Sequence, residues 1–161
     1  MDELLSLSTK VGKILVNTNQ TIATAESCTG GLLGHILTSI SGSSQYFPGG
    51  VIAYGYHIKE QILGVQHQTL MRYGAVSEKT ALEMASGIRG KFKTDIGLST
   101  TGIAGPTGGT PTKPVGLVWI AISTKEATQA FECHFKGSRE TIKNCTVKEI
   151  LTRLMEHLEH H

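Results

Sequence analysis

The stretch Thr21–Leu37, "TIATAESCTGGLLGHIL", decides the reading of the whole chain. "TIATA" is short, β-branched and apolar, as a buried strand would be. "LLGHIL" opens an apolar stripe at helical spacing, continued by Ile40. Between them "ESCTGG" must turn the chain sharply, and its two glycines suit a tight strand-to-helix turn. Such a unit places Ser27 at the carboxyl end of a strand, where open α/β sheets bind their ligands. Two readings of Ser27 stay open on position alone. It caps the helix, or it is a nucleophile lifted above the sheet edge, with free N–H groups of Thr29, Gly30 and Gly31 aimed at an oxyanion or phosphate.

Outward from that turn, helices and strands alternate. Leu4, Leu7, Val11, Ile14 and Leu15 predict an amphipathic helix ending near "NTNQ". "VIAY" (Val51–Tyr54) reads as a strand, Ile58 to Leu63 as a short helix closed by Gly64. Ser77 reads as the cap of a helix burying Ala81, Met84, Ala85 and Ile88. "DIGLSTTGI" and "GLVWIAIS" are strands flanking a glycine-proline loop. "QAFECHF" forms a hairpin with the second of them. A last helix starts at "GSRE" and presents Ile142, Val147, Ile150, Leu151 and Leu154. The sum is one α/β layered domain with a mixed sheet. The domain is expected over residues 1–157, with "LEHH" (Leu158 to His161) set aside as an expression-tag remnant.

Composition narrows the function classes. With 161 residues the chain holds one substantial core. Its net charge of +2 is spread along the chain rather than gathered in a Lys/Arg stripe, which argues against nucleic acid as the main partner. No apolar run reaches about 18 residues, and "MDELLSLSTK" carries acids where a signal peptide carries bases, so no membrane partner and a cytoplasmic setting are expected. Cys28, Cys133 and Cys145 lack metal-type spacing and read as reduced thiols. The histidines lack ligand spacing as well, so neither metal nor cofactor is expected.

A serine nucleophile needs a base. In "VIAYGYHIKEQILGV", Tyr54 ends a strand and Lys59 lies in the first turn of a helix. Burial and the helix dipole both lower a lysine pKa there, so a neutral Lys59 can take the proton, and Tyr54 can relay it or hydrogen-bond the oxyanion. The plain alternative is a solvated lysine and a strand-end aromatic. Cys28 is a rival nucleophile, ranked second because no histidine or acid is arranged to serve it. "STTGIAGPTGGTPTKPVG" is neither a P-loop nor a dinucleotide fingerprint, yet its glycines and threonines suit an anion. Arg139 can pair with a phosphate or with Glu140.

"AESCTGG", "GGVIAYGYHIKEQILGV", "GAVSEKTALEMASG", "TGIAGPTGG" and "KPVGLVWIAI" occur together in this order. In combination they resemble the CinA C-terminal domain family, the nicotinamide-nucleotide amidases, over roughly Leu4 to Leu154. The resemblance implies a three-layer α/β/α domain with a mixed, mostly parallel sheet. It implies hydrolysis of the carboxamide of nicotinamide mononucleotide to nicotinic acid mononucleotide and ammonia, so the expected partner is a small pyridine mononucleotide. It implies Ser27, Tyr54 and Lys59 as the catalytic set and a homo-oligomer as the assembly. Thr29, Gly30 and Gly31 would hold the oxyanion. Thr101, Gly102, Gly105, Gly108, Gly109 and Arg139 would hold the ribose phosphate. Family members commonly carry a second arginine where this chain has Lys143, which keeps the charge and loses the bidentate fork. The rival expectations are an amidase for another small amide and a nucleotide-binding module, without turnover, linked to competence or damage responses.

Overall fold

The computed structural model describes residues 1–161. In chain order the elements are α1 (Asp2–Thr18), β1 (Ile22–Glu26), α2 (Leu32–Thr38), a short 3-10 turn (Ser43–Gln45), β2 (Gly49–Ile52), α3 (Tyr56–Leu63), α4 (His67–Tyr73), α5 (Glu78–Phe92), β3 (Ile96–Gly102), β4 (Leu117–Ser123), β5 (Thr128–His134) and α6 (Arg139–His160). The five strands form one sheet in the order β2-β1-β3-β4-β5. β1 pairs in parallel with both β2 and β3, while β4 is antiparallel to β3 and to β5. Four of the five strands therefore run the same way, and the mixed, mostly parallel sheet is as expected.

Two cores face the sheet from opposite sides. Alternation along β1 sends Ile22 into the larger core with α1, α2 and α6, and Ala23 and Ala25 into a smaller one with α3, α4 and α5. The larger core gathers Leu4, Val11 and Leu15 of α1, Leu33, Ile36 and Leu37 of α2, and Ile142, Val147, Ile150, Leu151 and Leu154 of α6. Each such side chain contributes about 1.5–3 kcal/mol by leaving water. The result is a three-layer α/β/α sandwich.

Local signals explain the boundaries. Asn19, at φ 53°, ends α1 and donates its N–H back to the Leu15 and Val16 carbonyls. Ser77 caps α5 by accepting from the Thr80 N–H, and Ala81, Met84, Ala85 and Ile88 are all buried on that helix. β2 starts two residues earlier than the sequence suggests. Gly49 and Gly50 read as a turn, but they pair with Ala23 and Thr24, and a Cβ at 50 would collide with Thr24. The glycines let this edge strand lie against β1.

Two departures from the sequence reading stand out. α4 was not anticipated: its seven residues bury only Thr69 and Leu70, too little to form a periodic stripe. At the other end, α6 runs through Leu158, which is buried in the larger core. Leu158 therefore packs as part of the domain, against the expectation that set it aside.

Glycine also controls how α5 docks. A Cβ at Gly97 would strike the Ala85 carbonyl, and one at Gly87 would strike the Leu63 carbonyl at the end of α3. Backbones meet directly at both points, which packs α5 close to β3 and α3 close to α5.

Candidate active site

The carboxyl ends of β1, β2 and β3 surround a cavity of about 200 Å³, lined by Ser27, Cys28, Tyr54, Lys59, Ala75, Val76, Thr101, Gly102, Ala104 and Arg139. A larger open groove of about 690 Å³ lies at the amino ends of β1 and β3, with Gln20, Asp95 and the β4–β5 turn on its walls. It contains neither Ser27 nor Lys59.

Ser27 follows β1 directly, and its N–H donates to the Thr100 carbonyl of β3 at 2.9 Å. Strand alternation puts Glu26 on the α2 side and Ser27 on the α3 side. Lys59 approaches from that second side. It is 1% exposed, and its Nζ lies 3.0 Å from Ser27 Oγ, 2.7 Å from the Ala53 carbonyl oxygen and 3.1 Å from that of Tyr54. Burial lowers its pKa to about 8. The neighbouring Cys28 thiolate that would oppose this shift is not formed near neutrality, because burial pushes that thiol up to about 12. Cys28 is thus a poor nucleophile here.

The contacts suit both protonation states of the lysine. As an ammonium it donates one hydrogen to each of the three oxygens. As a neutral amine it keeps two N–H bonds to the carbonyls and turns its lone pair to the Ser27 hydroxyl. Neither the capping role for Ser27 nor the solvated lysine matches this geometry: no side chain caps α2 from its N-cap position, and Lys59 is buried.

Tyr54 is brought to the cavity but not to the serine. Its ring is 60% exposed and its hydroxyl accepts from Arg139 Nη2 at 3.0 Å, while only its backbone carbonyl meets Lys59. Gly55, extended at φ −90°, is the N-cap of α3 and separates Tyr54 from the helix that carries Lys59. Arg139, the first residue of α6, also donates from Nη1 to the Gly105 carbonyl at 2.7 Å. It forms no ion pair with Glu140. The guanidinium instead ties together the β2–α3 link, the loop after β3 and the start of α6.

The turn after Ser27 differs from the expectation of three free amides. Gly31 N–H donates to Glu26 Oε1 at 3.2 Å, and Gly30 N–H donates to the Ser27 carbonyl at 3.1 Å. Glu26 fills the start of α2 from inside the fold. The turn N–H groups with no acceptor in the chain are those of Cys28, which lines the cavity, and of Thr29, which is fully buried and off the cavity wall, against the expectation.

The glycine-proline loop is held by its own hydrogen bonds only in part, and none of them uses the N–H of Gly105, Gly108 or Gly109. Thr101 and Gly102 line the cavity, but the Thr101 hydroxyl donates to the Ala75 carbonyl at 2.7 Å. Gly105 turns its carbonyl, not its N–H, toward Arg139. Gly108 and Gly109 are not on the cavity wall, because the loop folds on itself through Thr110 N–H to Lys113 carbonyl and Gly116 N–H to Ile103 carbonyl. Lys143 stands over the turn, its Nζ 3.6 Å from the place a Gly30 Cβ would take.

Sequence reasoning missed Glu26, Ala75, Val76 and Ala104 at this site. A carboxylate just ahead of a glycine turn and a helix is a readable capping signal for Glu26. The three small wall residues carry no such signal.

With this geometry in hand, comparison with known proteins is direct. The CinA C-terminal domain model matches residues 4–158. A CinA-like protein of Syntrophomonas wolfei is 49% identical over 158 residues, covering 98% of this chain and 37% of that protein. Another CinA-like protein, from Cytophaga hutchinsonii, is 45% identical over 96% of this chain and 37% of its own length. The chain thus spans little more than a third of these relatives. Among solved structures, the competence/damage inducible protein CihA from Agrobacterium tumefaciens superposes with a TM-score of 0.94 at 36% identity, covering 98% of this chain and 96% of that one. The competence damage-inducible protein A of Klebsiella pneumoniae gives 0.95 at 34% identity, covering 98% of each. From Leu4 to Leu158 the chain belongs to the CinA C-terminal domain family.

Proposed function

We propose that the chain is a serine amidohydrolase that cleaves the carboxamide of nicotinamide mononucleotide, giving nicotinic acid mononucleotide and ammonia. The observation that supports this most is Lys59 Nζ, buried, with a lowered pKa, 3.0 Å from Ser27 Oγ. In this reading the Ser27 proton passes to neutral Lys59 as Oγ bonds to the amide carbon. The Cys28 N–H, which lines the cavity and directly follows the nucleophile, holds the oxyanion, as in other strand-to-helix elbows. Lys59 returns the proton to the amide nitrogen as the C–N bond breaks and ammonia leaves. A water then loses a proton to Lys59 and attacks the acyl carbon. Ser27 Oγ departs and takes that proton back, releasing the acid.

The remaining cavity residues fit substrate binding. About 200 Å³ holds one planar ring between small side chains, and leaves a ribose phosphate outside it. Arg139 at the mouth keeps N–H donors beyond the two it uses, and Lys143 adds a second positive charge. The exposed Tyr54 ring offers the charged pyridine a face to stack on.

The test is ammonia and nicotinic acid mononucleotide production from nicotinamide mononucleotide by the purified chain, beside Ser27→Ala and Cys28→Ala. The expected result is turnover that Ser27→Ala abolishes and Cys28→Ala retains. Tight binding without turnover in the unaltered chain would favour a nucleotide-binding module instead.

A further inference from the structure

We propose that Glu26 is a positioning residue for the nucleophile: its carboxylate fixes the Ser27–Gly31 turn from the face of the sheet opposite Lys59. The side chain is 2% exposed, yet no lysine, arginine or histidine pairs with it. A buried carboxylate is costly unless it is well hydrogen-bonded. Here Oε1 accepts from the Thr29 hydroxyl at 2.6 Å, from Gly31 N–H at 3.2 Å and from Leu33 N–H at 2.9 Å, and Oε2 accepts from Gly34 N–H at 3.0 Å. Four neutral donors meet the charge.

The same contacts close a ring around the serine. Thr29 Oγ1 lies 2.8 Å from Thr100 Oγ1, and the Thr100 carbonyl accepts the Ser27 N–H. Glu26 is therefore linked through Thr29 and Thr100 back to the backbone of the nucleophile. Ser27 is held from one face by Lys59 at its hydroxyl, and from the other by this ring at its main chain. Glu26 also takes up the N–H groups of Gly31, Leu33 and Gly34, so the unpaired Cys28 N–H, on the cavity wall, is the one an oxyanion meets. A helix cap alone would not require the bond through Thr29 to β3.

The proposal shares the Ser27 nucleophile with the reading above and is independent of which amide is cleaved. It is tested with the full chain and a fluorophosphonate, a general serine reagent, alongside ammonia release from nicotinamide mononucleotide and a thermal melt. Glu26→Gln keeps the size but sets an NH₂ group against one of the amide donors. The expected result is a cooperative melt, a labelling rate and kcat lowered roughly 10- to 100-fold, KM within about twofold, and the same pH midpoint for labelling. A folded Glu26→Gln that labels within about twofold of the unaltered chain overturns the proposal. If Glu26→Gln does not fold, Thr29→Val removes the link and leaves the carboxylate. Slow labelling restored by Thr29→Ser then supports the proposal, and fast labelling overturns it. An unaltered chain that labels at Ser27 but releases no ammonia removes the substrate reading and leaves Glu26 standing. No labelling at all overturns the proposal, while ammonia release decides separately whether the substrate reading stands.

Discussion

Lys59 Nζ and Ser27 Oγ are 3.0 Å apart, one step across the sheet edge, and two main-chain carbonyls hold the same nitrogen in place. A lysine fixed this way has no freedom to leave the serine when it is charged. Its proton, not its position, decides whether the pair is ready to react.

Activity should therefore follow the lysine. With a pKa of about 8, Lys59 is mostly protonated at pH 7 and mostly neutral at pH 9. The rate is expected to climb as pH rises through about 8 and then to level off. A pH profile of kcat/KM measures this, and a flat profile from pH 6 to 9 would remove Lys59 as the base.

Stability gives a second handle on the same residue. The folded pKa of Lys59 lies below the ordinary value of 10.5, so between about 8 and 10.5 the unfolded chain binds more protons and stability rises with pH. Below about 8 both states carry the proton and the contribution no longer changes. Lys59→Met should abolish turnover at every pH. Its stability relative to the unaltered chain should be most favourable at pH 7 and fall by on the order of 3 kcal/mol by pH 10.5. Denaturant melts at the two pH values check the sign.

Tyr54→Phe should keep kcat within a few-fold, because the hydroxyl meets Arg139 and not the dyad. Tyr54→Ala should raise KM instead, by removing the ring. Loss of kcat in Tyr54→Phe, seen in steady-state kinetics, would put the phenol back into proton transfer.

Arg139→Ala is expected to raise KM for the mononucleotide by about 10- to 100-fold with a smaller change in kcat. For the riboside, which lacks the phosphate, the same substitution should matter little. Lys143→Arg should lower KM for the mononucleotide if a fork at that position reaches the phosphate. Equal effects on the two substrates would detach both residues from phosphate binding.

Tyr46 offers a test of the core. Its hydroxyl is buried against Gly12 without a partner, so Tyr46→Phe should stabilise the fold by about 1 kcal/mol and raise Tm by about 2–4 °C.

Much of this architecture is legible in the sequence, and the misses have physical causes. Apolar periods locate α1, α2, α5 and α6, and β-branched runs locate β1, β3 and β4, because burial of one face imposes the period. β2 and α4 blur because glycines and a single buried leucine carry no period. At the site, strand alternation alone puts Ser27 on the side of Ala23 and Ala25, where α3 packs. The depth of Lys59 is a tertiary fact and leaves no local trace. Tyr54, five residues before Lys59 and just ahead of α3, is exposed at the cavity rim, where its hydroxyl meets Arg139. The glycines of the 102–109 segment look like anion donors by composition. Gly108 and Gly109 do not reach the cavity wall, and Gly105 offers Arg139 its carbonyl.

The contact between Gly87 and the Leu63 carbonyl reaches further than packing. α3 ends at Leu63 and carries Lys59 one turn earlier, so the seat of α3 on α5 sets how far the amine extends toward the serine. A methyl group at 87 would lift that seat. Position 87, which never touches substrate, would then score in a mutational scan of activity like a member of the reaction centre, a remote calibration point for proton transfer written as the absence of a side chain.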